Sequence, residues 1–178
     1  MPAYHLTGPN GAGKSAVGRV LQARGFRVIE SDFEPGFSSW VNIKSGEKVT
    51  DLPPQPIPKK WHDAHAWRWD KKKVTDIIAA INDEPVFIVG GAYNEKEFYK
   101  LFKKRFGFFI DSDALVRRLK LREPNRWLNG SAELNKALDW NKRSADFNLD
   151  HGAIPIDGSL DPEVSTDTIL RHVEEKDA

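Results

Sequence analysis

The sequence predicts an α/β protein in which helices cover both faces of a five-stranded parallel sheet. Five short apolar runs predict strands, amphipathic stretches between them predict helices, and a glycine-rich loop follows the first run. Strands that are buried on both faces are expected to be continuously apolar, as these runs are. The predicted strands are residues 4–7, 26–30, 86–89, 106–110 and 153–156, and the predicted helices begin after residue 15 and lie at about 70–82, 94–104, 111–122, 131–147 and 160–174.

Length and composition indicate one domain without bulk charge. A chain of 178 residues can bury a single core and is too short for two full ones, so residues 1–178 are predicted to form a single domain. The formal net charge of +1 gives no bulk attraction for nucleic acid or membranes. The absence of cysteine excludes disulfides and thiol catalysis. The first strand leaves no room for a signal peptide and no apolar run approaches the ~18 residues of a membrane span, so we expect a cytoplasmic protein.

The glycine-rich loop after the first strand fits the P-loop pattern G-x-x-x-x-G-K-[ST]. Glycines let successive backbone N–H groups curl around a phosphate chain, and the helix that begins there adds the positive end of its dipole. Lys14 can reach the terminal phosphates, and the Ser15 hydroxyl can ligate Mg²⁺. The predicted nucleotide contacts in this loop are Gly8, Pro9, Asn10, Gly11, Ala12, Gly13, Lys14, Ser15 and Ala16.

Ligands of a parallel α/β sheet bind where its strands end, which selects a second group of candidates. Asp32 follows the second strand, where a carboxylate can hold an acceptor hydroxyl and accept its proton, although a cap or loop role is the alternative. Two glycines after the third strand let the chain pass close beneath a substrate. Asn94 is either an acceptor contact or a helix cap, and the cap is favoured. The predicted acceptor contacts are Asp32, Phe33, Arg68, Gly90, Gly91 and Asn94.

Residues 33–69 interrupt the alternation of strands and helices. Five prolines and two glycines predict little regular structure there, yet the segment holds four tryptophans. Disordered linkers are poor in aromatic residues, so we interpret the segment as an ordered flap on the acceptor side. The alternative is that the rings fill a small satellite core, which is expected for most of them. The tryptophans are Trp40, Trp61, Trp67 and Trp69, of which one or two at most are expected to touch substrate.

Several motifs together resemble the small P-loop kinases, namely the nucleoside monophosphate kinases and the related shikimate kinases. They are the P-loop, the acidic pair in Glu30-Ser31-Asp32, the double glycine, an R-L-x-x-R helix with a basic loop after it, and the Ile156-Asp157 pair near the last helix. The resemblance covers about residues 3–174. It implies a three-layer α/β/α P-loop fold with strand order 2-3-1-4-5, and transfer of the γ-phosphoryl group of ATP to a small acceptor. It also implies that Glu30, a departure from the family's aspartate, holds the water shell of Mg²⁺ and that Asp157 contacts the nucleotide.

Three arginines follow the fourth predicted strand. Arg118 and Arg122 lie four residues apart and share a predicted helical face, with Arg126 beyond the end of that helix. Such a pair is most simply surface charge. The loop at about 122–130 nevertheless resembles a short kinase lid, and phosphoryl transfer needs mobile positive charge on the transferring group. The resemblance therefore implies catalytic roles for Arg122 and Arg126 and a place nearer the adenine for Arg118.

Two further patterns invite a metal interpretation that we do not favour. Asp111 ends an apolar strand, as a metal-binding aspartate would, but it also fits a helix cap, which we favour. His62 and His65 lack nearby partners for the three or four ligands that a zinc site requires.

These features predict an ATP- and Mg²⁺-dependent phosphotransferase that acts on a small metabolite. A nucleoside or nucleoside monophosphate is the favoured acceptor because flat rings in the insertion can stack a base. The alternatives are a shikimate- or gluconate-type acceptor, which would call for arginines over the site, and a nucleotide-binding switch without an acceptor. No nucleic acid or membrane partner is predicted, and a monomer or homodimer is expected. The predicted catalytic residues are Lys14, Asp32, Arg122 and Arg126, and the predicted metal residues are Ser15 and Glu30.

Overall fold

The computed structural model describes residues 3–54, 57–81, 84–122 and 131–175. The strands are β1 (Ala3–Thr7), β2 (Arg27–Glu30), β3 (Ser38–Asn42), β4 (His65–Trp69), β5 (Val86–Val89), β6 (Lys104–Phe109) and β7 (Ile154–Asp157). The helices are α1 (Lys14–Ala23), α2 (Lys59–Ala64), α3 (Lys71–Ala79), α4 (Ser112–Arg122), α5 (Ala132–Asp150) and α6 (Pro162–Glu174), and a 3₁₀ helix spans Glu95–Leu101. None of the described helices is long and apolar enough to cross a membrane.

Five parallel strands form the main sheet in the order β2-β5-β1-β6-β7. Numbered along the chain within this sheet, the order is 2-3-1-4-5, so the fold class and the strand order are as expected. The central strand β1 is paired on both sides, with His5 opposite Ile88 of β5 and Arg105 of β6. The chain order reverses at β1, so the loops after β1, β2 and β5 meet at one edge of the sheet. Ligands of open parallel sheets bind at such an edge.

Helices cover both faces of this sheet and enclose two apolar clusters. On one face, α1 and α6 pack on side chains that include Leu6 and Phe106, and residues of α4 join this apolar cluster. Helix α5 lies against the opposite side of β6, where a Cβ on Gly107 would come within 2.8 Å of Cβ of Asn148. On the other face, α3 and the 3₁₀ helix pack on Ile88 and neighbouring residues, and Phe98 of the 3₁₀ helix is 1% exposed. Burial of one large apolar side chain contributes about 1.5–3 kcal/mol, so each layer is fixed to the sheet by several such contributions.

The insertion is more regular than its prolines predicted, which corrects the expectation that residues 33–69 hold little regular structure. Strands β3 and β4 form a two-stranded antiparallel sheet with Trp40 opposite Trp67. Helix α2 lies in the segment of the chain that connects the two strands. The physical reason is that Pro53, Pro54 and Pro58 lie in the connection between β3 and α2, where they interrupt no ladder, and Pro56 lies outside the described residues. The strands themselves are rich in aromatic residues, which favour a pleated surface.

Three smaller expectations are also tested by the structure. The amphipathic stretch at 94–104 forms a short 3₁₀ helix, and the chain then enters β6 at Lys104, so the predicted helix was too long. Gly25, with a φ angle of 90°, follows the end of α1 as predicted. Asp111 accepts hydrogen bonds from the N–H groups of Asp113 and Ala114 at 2.9 and 3.0 Å, which confirms that it caps α4.

Candidate active site

The P-loop adopts the conformation that a phosphate cradle requires. Gly8, Gly11 and Gly13 have φ angles of 136°, 84° and 100°, in a region that residues with a side chain rarely adopt. A Cβ on Gly8 would lie 2.6 Å from the carbonyl oxygen of Phe108, so the loop also rests directly on β6. Helix α1 begins at Lys14, and its first N–H groups have no partner within the helix. The loop therefore fits a polyphosphate chain.

The Lys14 side chain is buried inside this loop. Its Nζ donates to two main-chain carbonyl oxygens of the P-loop, each at 2.8 Å. Burial lowers the pKa of Lys14 to about 8, and the charges of Asp32, Glu95 and Glu30 oppose that shift. These three carboxylates therefore help to keep the ammonium group protonated at neutral pH, although it lies away from water.

The two residues predicted to hold Mg²⁺ are in contact. The Ser15 hydroxyl donates to Oε2 of Glu30 at 3.0 Å, which joins the start of α1 to the end of β2. Glu30 lies over Gly18, where a Cβ would come within 3.2 Å of Oε1. Burial raises the pKa of Glu30, and the hydrogen bond from Ser15 opposes that shift. Mg²⁺ prefers oxygen ligands of this kind, so the residues present fit the predicted metal.

Asp32 lies just beyond the end of β2, where the insertion and the loop after β5 both approach it. The indole Nε1 of Trp67 on β4 donates to Oδ1 of Asp32 at 2.9 Å. A Cβ on Gly90 would lie 3.8 Å from the same carboxylate oxygen. Asp32 is nevertheless exposed to solvent. The carboxylate is therefore oriented by the protein and still accessible to a small molecule.

The double glycine after β5 lies so close to the end of β2 that a residue with a side chain would clash there. Gly90 has a φ angle of 130°, and a Cβ there would lie 2.0 Å from Oγ of Ser31. The Nε2 of His5 donates to the carbonyl oxygen of Gly90 at 2.9 Å, which fixes the loop to β1. Burial lowers the pKa of His5 to about 4, so this imidazole is neutral at pH 7. The close approach that the sequence predicted for Gly90 and Gly91 is present, whereas their contact with an acceptor stays a prediction.

Glu95 is a candidate that the sequence reasoning missed. Its side chain is 5% exposed and accepts hydrogen bonds from the hydroxyl groups of Thr7, at 3.1 Å, and Tyr99, at 2.8 Å. A Cβ on Gly91 would come within 3.0 Å of its carboxylate, so Glu95 lies directly beneath the glycine loop. Burial and the charge of Glu95 raise the pKa of Tyr99. The signal in the sequence was weak, namely an acidic residue in the first turn of a predicted helix.

Asn94 occupies the N-cap position of the 3₁₀ helix, as favoured, and its carbonyl oxygen accepts from the N–H of Glu97 at 3.0 Å, but its side chain does not cap that helix. Its Oδ1 accepts from the N–H of Trp69 at 2.9 Å, and its Nδ2 donates to the carbonyl oxygen of Trp69 at 3.1 Å. Asn94 is buried, and the 3₁₀ helix has no side-chain cap. The amide has these partners because it faces the main chain of β4, and it holds the insertion against the core.

Two other predicted acceptor contacts, Arg68 and Phe33, have different surroundings. Arg68 forms an ion pair with Glu97 at 3.1 Å, and its guanidinium lies 6.0 Å from the ring centroid of Tyr93. Phe33, next to Asp32, is 71% exposed. Contact of either side chain with an acceptor remains a prediction.

On the nucleotide side, Arg118 connects the P-loop to the loop after β7. Its Nη1 donates to the carbonyl oxygens of Gly158, at 2.8 Å, and Gly11, at 3.3 Å. Asp157 shapes the same loop, because its Oδ1 accepts from the N–H and the hydroxyl of Ser159 at 2.8 and 2.6 Å. Both residues therefore lie beside the cradle, as expected of nucleotide contacts, and their contact with a nucleotide stays a prediction.

The predicted lid lies mostly outside the described residues. Arg122 is the last residue of α4 and is exposed. Arg126 lies outside the part of the chain that the structure describes. The catalytic roles assigned to these arginines stay predictions.

The tryptophans of the insertion pack on one another and on the core, and contact of any of them with a substrate stays a prediction. The ring of Trp40 packs edge-on against that of Trp61, with 5.0 Å between the ring centroids, and its centroid lies 5.5 Å from that of Trp67. Trp69 belongs to the buried core. Among the described residues, no group of three or more His, Asp or Glu side chains could hold a metal ion, and His62 instead lies 4.0 Å from Glu133. Trp67 is the tryptophan whose indole bonds a predicted active-site carboxylate.

Solved structures with the same architecture include shikimate kinases. The shikimate kinase from Acinetobacter baumannii in complex with shikimate has 19% sequence identity and a TM-score of 0.59, and the match covers 98% of this chain and 92% of that chain. Shikimate kinases from Aquifex aeolicus and Bacteroides thetaiotaomicron are each 16% identical with TM-scores of 0.56, covering 97% and 98% of this chain and 96% and 99% of theirs. No protein-family model matches the chain, and no curated protein matches its sequence significantly. The chain therefore has the fold of the small P-loop kinases.

Proposed function

We propose that this protein is an ATP-dependent phosphotransferase that moves the γ-phosphoryl group to a hydroxyl of a small metabolite. One observation carries the proposal: the P-loop with buried Lys14 and the oriented carboxylate of Asp32 lie at the same edge of the sheet. A phosphate cradle alone would suit many nucleotide-binding proteins. A carboxylate that is both oriented and exposed next to it is the additional group that an acceptor hydroxyl requires.

The donor side would bind ATP mainly through the main chain. The N–H groups of the P-loop and the N-terminus of α1 would contact the phosphates, with Lys14 among them. Ser15 and Glu30 would hold Mg²⁺, which neutralises charge on the phosphates when it is bound. Arg118, which already joins Gly11 to Gly158, would border the nucleotide at the loop after β7.

On the acceptor side, Asp32 would act as the base. The acceptor oxygen attacks the γ-phosphorus of ATP, its proton passes to the Asp32 carboxylate, and the bond from that phosphorus to the bridging oxygen breaks to release ADP. Lys14, with Arg122 and Arg126 from the lid, would stabilise the charge on the transferring group. The hydrogen bond from Trp67 supports this role because it restricts the orientation of the carboxylate before an acceptor arrives.

The finer proposal is that the acceptor is a nucleoside or nucleoside monophosphate. It is supported by the aromatic rings that the insertion brings to Asp32, above all Trp67, since every base offers a face for stacking. The second candidate is an acid of the shikimate type. It is favoured by the fold likeness to a kinase solved in complex with shikimate.

A coupled assay of ADP release tests the proposal. Nucleosides, nucleoside monophosphates, sugars and hydroxy acids are each added to protein, ATP and Mg²⁺, and ADP release is compared with that in the absence of acceptor. We expect one chemical class to accelerate ADP release and to yield a phosphorylated product. ATP binding with slow hydrolysis that no compound accelerates would contradict the proposal and indicate a nucleotide-binding switch.

A further inference from the structure

Two cations near the candidate acceptor site, one on β4 and one on α3, are paired with carboxylates of the same region. Arg68, the only arginine of the insertion, is paired with Glu97 at 3.1 Å. Lys73 at the start of α3 is paired with Glu34, two residues after Asp32, at 3.0 Å. Both pairs hold their charges at close range, so neither cation offers an anionic acceptor a full positive charge.

The carboxylates at the site are held differently, by neutral donors. Asp32 accepts from the indole of Trp67, Glu30 from the hydroxyl of Ser15, and Glu95 from hydroxyl groups. Hydrogen bonds from neutral groups orient a carboxylate without removing its charge. The charge of Lys14 acts on all three carboxylates from inside the P-loop, and the charge of Arg105 acts on Glu95. Asp32 is the exposed member of the three, so it is the carboxylate that an acceptor would meet.

Exposed aromatic rings lie on the segments next to this carboxylate. Phe33 follows Asp32 directly and is 71% exposed, and Tyr93 in the loop after β5 is 70% exposed. The N–H of Tyr93 donates to the carbonyl oxygen of Trp67 at 2.8 Å, so Tyr93 and Trp67 belong to one connected surface. Exposed rings beside an oriented polar group are typical of sites that bind a partly apolar ligand.

We infer that the acceptor is an uncharged alcohol with a ring or other apolar portion, and that an otherwise identical compound with a carboxylate or phosphate is disfavoured. This inference rests on the proposed function and narrows it from nucleosides and their monophosphates to uncharged acceptors. An anionic acceptor would meet like charge from Asp32, the exposed carboxylate of the site. It would also have to draw Arg68 away from Glu97, which would leave that carboxylate unpaired.

Matched pairs of acceptors test the inference directly. A nucleoside is compared with its 5′-monophosphate, and shikimate methyl ester with shikimate, so that the members of each pair differ in one charged group. We expect kcat/KM for the uncharged member to exceed that for the charged member by about tenfold or more, as for one unfavourable charge contact. Quenching of tryptophan fluorescence reports binding of each compound in parallel, so that a bound compound that is not phosphorylated still reveals its charge preference.

A substitution that releases Arg68 sharpens the test. Glu97→Gln leaves Arg68 without its carboxylate partner. We therefore expect the ratio of kcat/KM between the uncharged and the charged member of each pair to become smaller. Glu163→Gln is the matched control, because it breaks the ion pair of Glu163 with Arg24, between α6 and the end of α1. This control should leave the ratio unchanged, and an equal change in both variants would contradict the role given to Arg68.

The outcomes separate this inference from the proposed function. Turnover or binding that favours the charged members overturns the inference and leaves the phosphotransferase proposal standing. Failure of every compound to bind or be phosphorylated contradicts both. Preference for the uncharged members, with a ratio of kcat/KM that becomes smaller in Glu97→Gln alone, supports the inference.

Discussion

The donor and acceptor sides of the candidate site are built in different ways. The phosphate cradle of the donor side comes from one contiguous stretch, residues 8–16, and its binding groups are mostly main-chain N–H groups. The acceptor side comes from separated segments, with Asp32 after β2, Trp67 on β4 and Glu95 after β5. Its groups are side chains, and their positions depend on hydrogen bonds between residues that are far apart in sequence.

This difference has a physical consequence for specificity. A main-chain cradle recognises any polyphosphate, because every residue supplies an N–H group. Side chains assembled from distant segments can be exchanged one at a time, so they can distinguish one acceptor from another. We therefore expect substitutions on the donor side to affect all turnover, and substitutions on the acceptor side to affect acceptors selectively.

The largest effect is expected at Lys14. Lys14→Ala removes a cation that acts on charge developing in the transition state, so acceptor-dependent turnover should fall by about 10²–10³-fold or more. The melting temperature should hardly change, because burial of the ammonium group is itself unfavourable. Lys100→Ala, an exposed lysine of the 3₁₀ helix, is the control and should retain full activity. Turnover like that of the wild type in Lys14→Ala would contradict the role of Lys14 in stabilising the transferring phosphoryl group.

The second effect tests whether binding and chemistry separate. Asp32→Asn can still accept the hydrogen bond from Trp67 but is a poor base, so kcat should fall by about 10²-fold or more while ATP still binds. Isothermal titration calorimetry measures whether ATP still binds, and steady-state kinetics measure the fall in kcat. Asp51→Asn, an exposed carboxylate of the insertion, should behave like the wild type. Loss of ATP binding in Asp32→Asn would assign Asp32 to the metal instead.

A third, smaller effect isolates the hydrogen bond between the insertion and the base. Trp67→Phe keeps an aromatic ring but removes the indole N–H, and a hydrogen bond to a charged group contributes about 1.5–3 kcal/mol. We expect kcat/KM for the acceptor to fall by about tenfold or more, and KM for ATP to stay unchanged. Trp61→Phe is the control, because its ring packs on His65 and Trp40. Equal losses in both variants would show that the rings matter as packing only.

The smallest effect concerns His5, which joins the two sides through Gly90. Its pKa is lowered by burial from 6.5 to about 4, so between these values the unfolded chain binds more protons than the folded protein. Above pH 6.5 this contribution to stability is fully present. It is lost as the pH falls towards 4, with a slope of up to about 1.4 kcal/mol per pH unit.

Urea unfolding at several pH values checks this expectation. His5→Phe should be less stable than the wild type at pH 7, because the hydrogen bond to Gly90 is lost. The difference should narrow as the pH falls to about 5, since the phenyl ring of the variant has no proton to bind. If the free energy of unfolding changed with pH in the same way in both proteins, His5 would not be a buried neutral imidazole.

The sequence predicted the conformation of the P-loop, because local residues decide it. The spacing of Gly8, Gly13 and Lys14 indicated the cradle, and the left-handed φ angles of the glycines agree with that reason. The strands of the main sheet were found from apolar runs, with ends displaced by at most two residues. Their order came from the resemblance, since pairing between distant strands leaves no local signal.

The acceptor side was predicted less well, because long-range contacts decide it. Trp67 reaches Asp32 across 35 positions of the chain, and no pattern around either residue indicates the bond. The side chain of Asn94 was assigned to the nearest helix, whereas its partners lie 25 positions away on β4. Strands β3 and β4 were missed because the prolines of the insertion outweighed the alternation of Trp67 and Trp69, which would have indicated a strand.

Hydrogen exchange of the whole protein tests the division into donor and acceptor sides most directly. Amide exchange is measured for peptides from residues 8–23 and 33–69, in the free protein, with a non-hydrolysable ATP analogue and Mg²⁺, and with an acceptor added as well. We expect the analogue to protect the P-loop peptides, and the acceptor then to add protection within 33–69. Protection of 33–69 by the analogue alone, with no further change when a turned-over acceptor is added, would contradict this division.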